Sequence, residues 1–126
     1  MSKRSSIVAI VGLGSVQLVS ALAGEAVDFE GDVWPILEEH CVSCHGPEDE
    51  FNELRFDSRE AILKGGKSGE VLVPGEPEES SMYVRPSLPA DDFDIMPAEG
   101  EPLSKEQVEI LRRWIAAGAD FGGWTG

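Results

Sequence analysis

The stretch Cys41-Val42-Ser43-Cys44-His45 is the part of the sequence on which the predicted fold depends most. Its C-x-x-C-H spacing is that of a covalent haem attachment site. Two thiols one short turn apart can add to the two vinyl groups of a porphyrin, and the next residue can then supply an imidazole nitrogen to the iron. The spacing therefore predicts one covalently bound haem c, attached through Cys41 and Cys44 and ligated by His45.

Three other interpretations compete with haem attachment. A structural disulfide between Cys41 and Cys44 is compatible with an oxidising compartment. A redox-active dithiol is usually found within a βαβ pattern, which this sequence lacks. A tetrahedral zinc site needs four ligands, and all the cysteines and histidines of this sequence lie between positions 40 and 45, too close together for such a cage.

A haem that only transfers electrons usually has a sixth ligand on the iron. The candidates are Met82, Met96 and His40. Met96 precedes Pro97 in a segment with no helical signal, so we expect it to reach the haem face opposite His45. Met82 has the spacing of a core residue, and His40 is so close to His45 that we expect it to face solvent or to bond the backbone. The predicted iron ligands are therefore His45 and Met96.

Residues 1–23 have the features of a signal peptide. Lys3 and Arg4 form a positive N-terminal region, residues 7–16 form an uncharged apolar run, and Ala21-Leu22-Ala23 is a small-x-small cleavage site. The run is shorter than the roughly 20 residues that span a bilayer, so we expect cleavage and no stable membrane span. The protein is accordingly predicted to be periplasmic or otherwise exported, with a single domain over residues 24–126.

The chain is strongly acidic, with a net charge of −14 for 126 residues. Removal of residues 1–23 takes away two of the ten basic side chains and none of the 24 acidic ones, which leaves −16. This balance argues against nucleic acid and anionic membrane surfaces as partners. It favours redox protein partners with a basic docking face, although a solvated surface without a specific partner explains it equally well.

The local patterns predict an all-α domain with long loops. The expected N-caps of its helices are Asp32, Ser58, Ser80 or Ser81, and Ser104, the last with Gln107 in a capping box. Glycines at positions 65–66 and 118 mark two helix ends. Connections this long in so small a domain require something central to pack on, and a cofactor would supply it.

Two further features of the sequence are less informative about function. Gly66-Lys67-Ser68 is similar to the end of a phosphate-binding loop, but that loop needs a glycine where this chain has Ala61. We therefore expect a tight turn near the haem edge. Arg55, Arg59 or Arg85 could pair with a haem propionate, and a surface ion pair is an equally good expectation for each.

The order of these motifs resembles the planctomycete-type cytochrome c domain, a small exported haem module, from about residue 29 to residue 120. The matching stretches are residues 33–37, Cys44-His45-Gly46-Pro47, residues 54–59, residues 65–69, Val73-Pro74-Gly75, Glu79-Ser80-Ser81, Met96-Pro97, Leu111, Trp114-Ile115 and Gly118-Ala119. The resemblance implies a class I cytochrome c fold, that is, a small all-α, cytochrome-c-like domain with long loops whose helices are wrapped around one haem. It also implies attachment through Cys41, Cys44 and His45, and Met96 as distal ligand. One departure is Ala98, where the family usually has a second proline.

Taken together, the sequence predicts an exported mono-haem c-type cytochrome that transfers single electrons between redox partners and is not an enzyme. One alternative is a haem-based ligand-binding or sensory domain with a labile sixth ligand. The other is a haem-free interaction module stapled by a disulfide.

Overall fold

The computed structural model describes Gly12 and residues 26–126. The predicted signal peptide lies outside these residues apart from Gly12. All regular secondary structure between residues 26 and 126 is helical, and no strand is formed there. The helices are α1 (Trp34–His40), α2 (Arg59–Lys64), α3 (Ser81–Val84) and α4 (Lys105–Ala116), with a π-helical turn at Phe29–Val33 and 3-10 turns at Phe51–Glu53 and Pro77–Glu79.

This architecture agrees with the predicted all-α class. In the part of the chain that the structure describes, no helix is long and apolar enough to cross a bilayer.

The first helical segment begins earlier than the sequence predicted. Its N-cap is Asp28, whose carboxylate accepts a hydrogen bond from the Gly31 N–H at 2.7 Å. The predicted cap, Asp32, instead accepts the Asp28 N–H at 2.8 Å from inside the turn. The prediction of Asp32 as N-cap was therefore wrong, because the π-helical turn already satisfies the free N–H groups one turn before α1.

The predicted ends of α2 and α4 are confirmed. Ser58 Oγ accepts the Ala61 N–H at 3.1 Å at the start of α2. At the start of α4, Ser104 Oγ accepts the Gln107 N–H at 3.1 Å while Gln107 Oε1 accepts the Ser104 N–H at 2.9 Å, which completes the capping box. Gly118, just beyond α4, has a φ of +111°, a conformation that favours glycine.

An aromatic cluster joins the N-terminal turn to the C-terminal segment. The Phe29 ring lies 5.1 Å from Trp114, 4.8 Å from Phe121 and 4.6 Å from Trp124, measured between ring centroids. The Trp114 indole N–H donates to the Asp120 carbonyl at 2.8 Å, which satisfies the one polar group of this buried ring. The cluster therefore fixes α1 against α4, and α1 leads from it directly into Cys41.

The connection between α2 and α3 is held by one buried hydroxyl. Ser80 is fully buried, and its Oγ accepts the Val73 N–H at 2.8 Å and lies 2.9 Å from the Glu76 carbonyl. Ser80 occupies the N-cap position of α3, but its side chain turns inward and makes no capping bond. The Ser80 hydroxyl therefore supplies a hydrogen-bond partner for the Val73 N–H of this connection.

We expect Phe29→Ala to lower the free energy of unfolding by about 3–5 kcal/mol, because it removes a ring packed against three others. Urea denaturation followed by tryptophan fluorescence measures the loss. The matched control is Phe93→Ala, since the Phe93 side chain is 99% exposed and its removal should change stability by less than about 0.5 kcal/mol. Equal losses in the two variants would contradict this account of the core.

We expect Ser80→Ala to lower the free energy of unfolding by about 1–3 kcal/mol, because the Val73 N–H loses its only side-chain acceptor in the connection. Ser81→Ala, one residue further on and more exposed, is the control and should have little effect. Hydrogen exchange at the Val73 amide gives a local readout. An unchanged exchange rate in Ser80→Ala would show that the hydroxyl does not hold the loop.

Candidate haem-binding site

Residues 41–45, called the attachment turn below, continue α1 by one further turn. The Cys41 N–H donates to Leu37 O at 2.9 Å, and the His45 N–H donates to Cys41 O at 2.9 Å. Gly46 follows directly and is buried; a Cβ at this position would lie 2.4 Å from the Val42 carbonyl oxygen, so only glycine fits. The backbone thus brings Cys41, Cys44 and His45 together in one compact turn.

The two thiols of this turn have different surroundings. Cys41 is half-buried and packs against the hydrophobic core, whereas Cys44 is exposed, and both are free thiols. Burial raises the pKa of the Cys41 thiol to about 12, and the neighbouring Cys44 adds to the shift. A redox-active dithiol requires a cysteine with a lowered pKa, so this environment does not favour that interpretation. Cys41 instead links the turn to the core while Cys44 faces outward.

A zinc site was the third alternative interpretation of the cysteines and histidines in residues 40–45. Within residues 26–126, no group of three cysteine, histidine or carboxylate side chains is placed to hold a metal ion. The zinc interpretation therefore gains no support from the positions of these residues.

The His45 ring is oriented by a backbone carbonyl. Its Nδ1 lies 2.9 Å from the Phe51 oxygen. A carbonyl can only accept, so Nδ1 carries a proton, and Nε2 is the ring nitrogen that can offer a lone pair to a metal. The Phe56 ring contacts the imidazole edge-on, with centroids 5.8 Å apart. A ligating histidine whose second nitrogen donates to a carbonyl is the usual arrangement at metal centres, so this residue fits an iron ligand.

Residues 50–54, called the Phe51 turn below, are held close to the attachment turn by backbone bonds. The Phe51 N–H donates to Cys44 O at 3.1 Å, and the Phe56 N–H donates to His45 O at 2.7 Å. The Phe51 side chain remains 60% exposed. The role of Phe51 cannot be predicted from the sequence, because the atom that contacts His45 is a main-chain oxygen and leaves no side-chain signature.

The predicted distal ligand, Met96, lies on the connection between α3 and α4. Met96 is half-buried, and its N–H donates to Arg85 O at 3.4 Å just beyond α3. This bond fixes the main chain of Met96 but not its sulfur, which is the atom that would bind iron. Ligation by Met96 therefore stays a prediction.

The other candidate ligands have structural roles. Met82 is 6% exposed and belongs to the core, which confirms its interpretation as a packing residue. The His40 side chain is only 13% exposed, and its Nε2 lies 3.4 Å from Gln107 Nε2 on α4 and 3.6 Å from a Glu39 carboxylate oxygen. The expectation that His40 faces solvent or bonds the backbone was wrong, because its ring is largely covered and contacts the side chains of Gln107 and Glu39.

Two of the three arginines considered for propionate pairing are engaged elsewhere. Arg55 Nε donates to Asp57 at 2.9 Å, and its Nη1 donates to Glu50 at 3.3 Å. The hydrogen bond from Arg55 lowers the pKa of the Asp57 carboxyl below its ordinary value. The Arg59 guanidinium lies over the Phe121 ring, 5.8 Å from its centroid. Arg55 therefore forms the surface ion pair that was its alternative interpretation.

Comparison with known proteins gives one match. No curated protein and no solved structure matches the chain. A family model described as Planctomycete cytochrome C matches residues 41–100, just under half of the chain. This span is shorter than the predicted resemblance, but it begins at Cys41 and includes Cys44, His45 and Met96. Residues 41–100 are therefore similar to Planctomycete cytochrome C, the same family that the ordered motifs of the sequence resemble.

Proposed function

We propose that this protein is an exported mono-haem c-type cytochrome that transfers single electrons between redox partners and has no catalytic activity of its own. The observation that carries the proposal is the state of His45. Its Nδ1 is hydrogen-bonded to the Phe51 carbonyl, which leaves the Nε2 lone pair available to a metal. It also directly follows Cys44, which has a free thiol. The family of the matched segment agrees with haem as the cofactor.

Cys41, Cys44 and His45 would each make a different contact with the cofactor. Cys41, packed against the core, would connect it rigidly to α1. Cys44, at the surface, would hold the opposite vinyl side. His45 would bind the iron through Nε2 with a ring orientation already set by Phe51 O. When bound, haem c would supply an iron centre that accepts and releases one electron.

The surface around the site suits exchange of electrons with another protein. Cys44 and the Phe51 side chain are exposed, so the attachment side of the domain faces solvent. The charge of −16 after removal of residues 1–23 favours a partner with a basic docking face. Export through the predicted signal peptide would place the protein where covalent attachment keeps the cofactor from being lost by dilution.

A sensory or ligand-binding role is the second candidate, and the ligation of the iron by Met96 distinguishes the two. An iron with only His45 bound would have an open position for a small ligand. In the electron-transfer proposal, the Met96 sulfur would occupy that position.

Haem attachment is tested on the exported protein by a pyridine haemochrome spectrum and by mass spectrometry after denaturation. We expect one haem that stays bound in the denatured wild type, and loss of covalent haem when Cys41→Ser and Cys44→Ser are combined. Ser43→Ala is the control, because this exposed residue between the cysteines supplies no thiol and should leave the haem content unchanged. A wild type without haem would refute the proposed function.

Methionine ligation is tested by Met96→Ala in the haem-loaded protein. We expect the long-wavelength charge-transfer band of a methionine–iron bond to disappear from the ferric spectrum and the reduction potential to fall, because methionine favours ferrous iron. Met82→Leu replaces a core methionine and should keep both properties. If the wild type lacks the band and Met96→Ala changes nothing, the sensory alternative replaces electron transfer.

A further inference from the structure

Residues 65–69, called the glycine loop below, form the tight turn predicted from the sequence, but haem attachment does not use them. The Gly66 N–H donates to Gly69 O and the Gly69 N–H donates to Gly66 O, both at 3.0 Å. The loop lies against the Phe51 turn, which is more than a dozen residues earlier in the chain. A surface loop that needed only to connect α2 to the next segment would not require this contact.

Backbone and side-chain hydrogen bonds attach the glycine loop to Asn52. The Lys67 N–H donates to Asn52 O at 2.8 Å, and Asn52 Nδ2 donates to Ser68 Oγ at 3.0 Å. The first bond uses backbone atoms on both sides, and the second uses the two side chains. The glycine loop therefore binds Asn52 through both its main-chain carbonyl and its side-chain amide.

The fit between loop and turn depends on glycine. A Cβ at Gly66 would lie 2.7 Å from Asn52 O and 3.0 Å from Leu54 Cβ. Gly65 has a φ of +73°, and a Cβ there would lie 2.4 Å from Gly69 O. Neither position accepts a side chain without moving the backbone that faces the Phe51 turn.

The Phe51 turn itself has an unfavourable backbone. Asn52 and Glu53 both have positive φ values, +60° and +55°. Asparagine tolerates this conformation, but two successive non-glycine residues in it are held only where the surroundings stabilise them. The bonds from the glycine loop to Asn52 supply that stabilisation.

We propose that the glycine loop positions His45 by fixing the Phe51 carbonyl, and so sets the orientation and basicity of the proximal ligand. The chain of contacts runs from Ser68 and Lys67 to Asn52, then through one peptide unit to Phe51 O, and from there to His45 Nδ1. Gly66, Asn52 and Ser68 are positioning residues, since none of them contacts the iron ligand directly. The effect on the iron rests on the proposed function, whereas the contacts from the glycine loop to His45 do not depend on it.

The direction of the effect on the iron follows from the hydrogen bond. An imidazole that donates through Nδ1 is a more basic ligand at Nε2, and a more basic ligand favours ferric iron. Loosening the Phe51 turn weakens that bond and makes the ferric state less favourable. The reduction potential should therefore rise when the glycine loop no longer holds Asn52.

The test compares Gly66→Ala and Ser68→Ala with the wild type in the haem-loaded protein. We expect both to raise the reduction potential and to increase solvent exchange of the His45 Nδ1 proton, observed by NMR, on the order of tenfold. Ser68→Thr keeps a hydroxyl and should restore wild-type behaviour. Lys67→Arg is the control within the same loop, because Lys67 contacts Asn52 only through its N–H and the substitution keeps the charge.

Ser68→Ala keeps the test decisive if Gly66→Ala does not fold. Unchanged potential and unchanged Nδ1 exchange in a folded Ser68→Ala variant, relative to Lys67→Arg, would overturn the proposal and leave the loop as a surface turn. If the wild type carries no haem, nitrogen NMR of the His45 tautomer in the full chain decides instead. A shift from the Nδ1–H to the Nε2–H form in Gly66→Ala or Ser68→Ala supports positioning, and no shift overturns it.

Discussion

The hydrogen bond between His45 Nδ1 and the Phe51 carbonyl is the interaction on which the candidate site depends. It leaves the Nε2 lone pair available to a metal. Both of its partners need support from elsewhere. His45 is placed by the helical turn that continues α1, and Phe51 is placed by a strained turn that the glycine loop holds. The site therefore draws on residues well outside the C-x-x-C-H motif.

The small core is arranged so that this site has one rigid side and one open side. The aromatic cluster around Phe29 and Trp114 fixes α1 against α4, and α1 transmits that rigidity to Cys41. Cys44 and Phe51 face solvent on the other side. A cofactor attached here would be held through the half-buried thiol of Cys41, which packs against the core, and would be accessible near the exposed thiol of Cys44.

Local features were predicted well where the interaction is between near neighbours in the chain. The Ser58 cap, the Ser104/Gln107 box and the glycine after α4 each involve residues at most four positions apart, so the sequence specifies them directly. The prediction failed at Asp32, where two acidic residues four apart could each cap the helix and the earlier one does. It also failed at His40, whose surroundings are set by Gln107, 67 residues away.

The sequence by itself predicted the cofactor chemistry, since the spacing of two thiols and an imidazole is a property of five consecutive residues. Its ordered motifs also indicated the resemblance to Planctomycete cytochrome C, which the family model finds over residues 41–100. Only the tertiary structure decided which nitrogen of His45 is available, which cysteine packs against the core, and why residues 65–69 are rich in glycine. These features depend on contacts between distant segments, such as Asn52 with Ser68, and on main-chain atoms such as the Phe51 oxygen. Because main-chain groups are the same at every position, the sequence carries no sign of which of them will form such a contact.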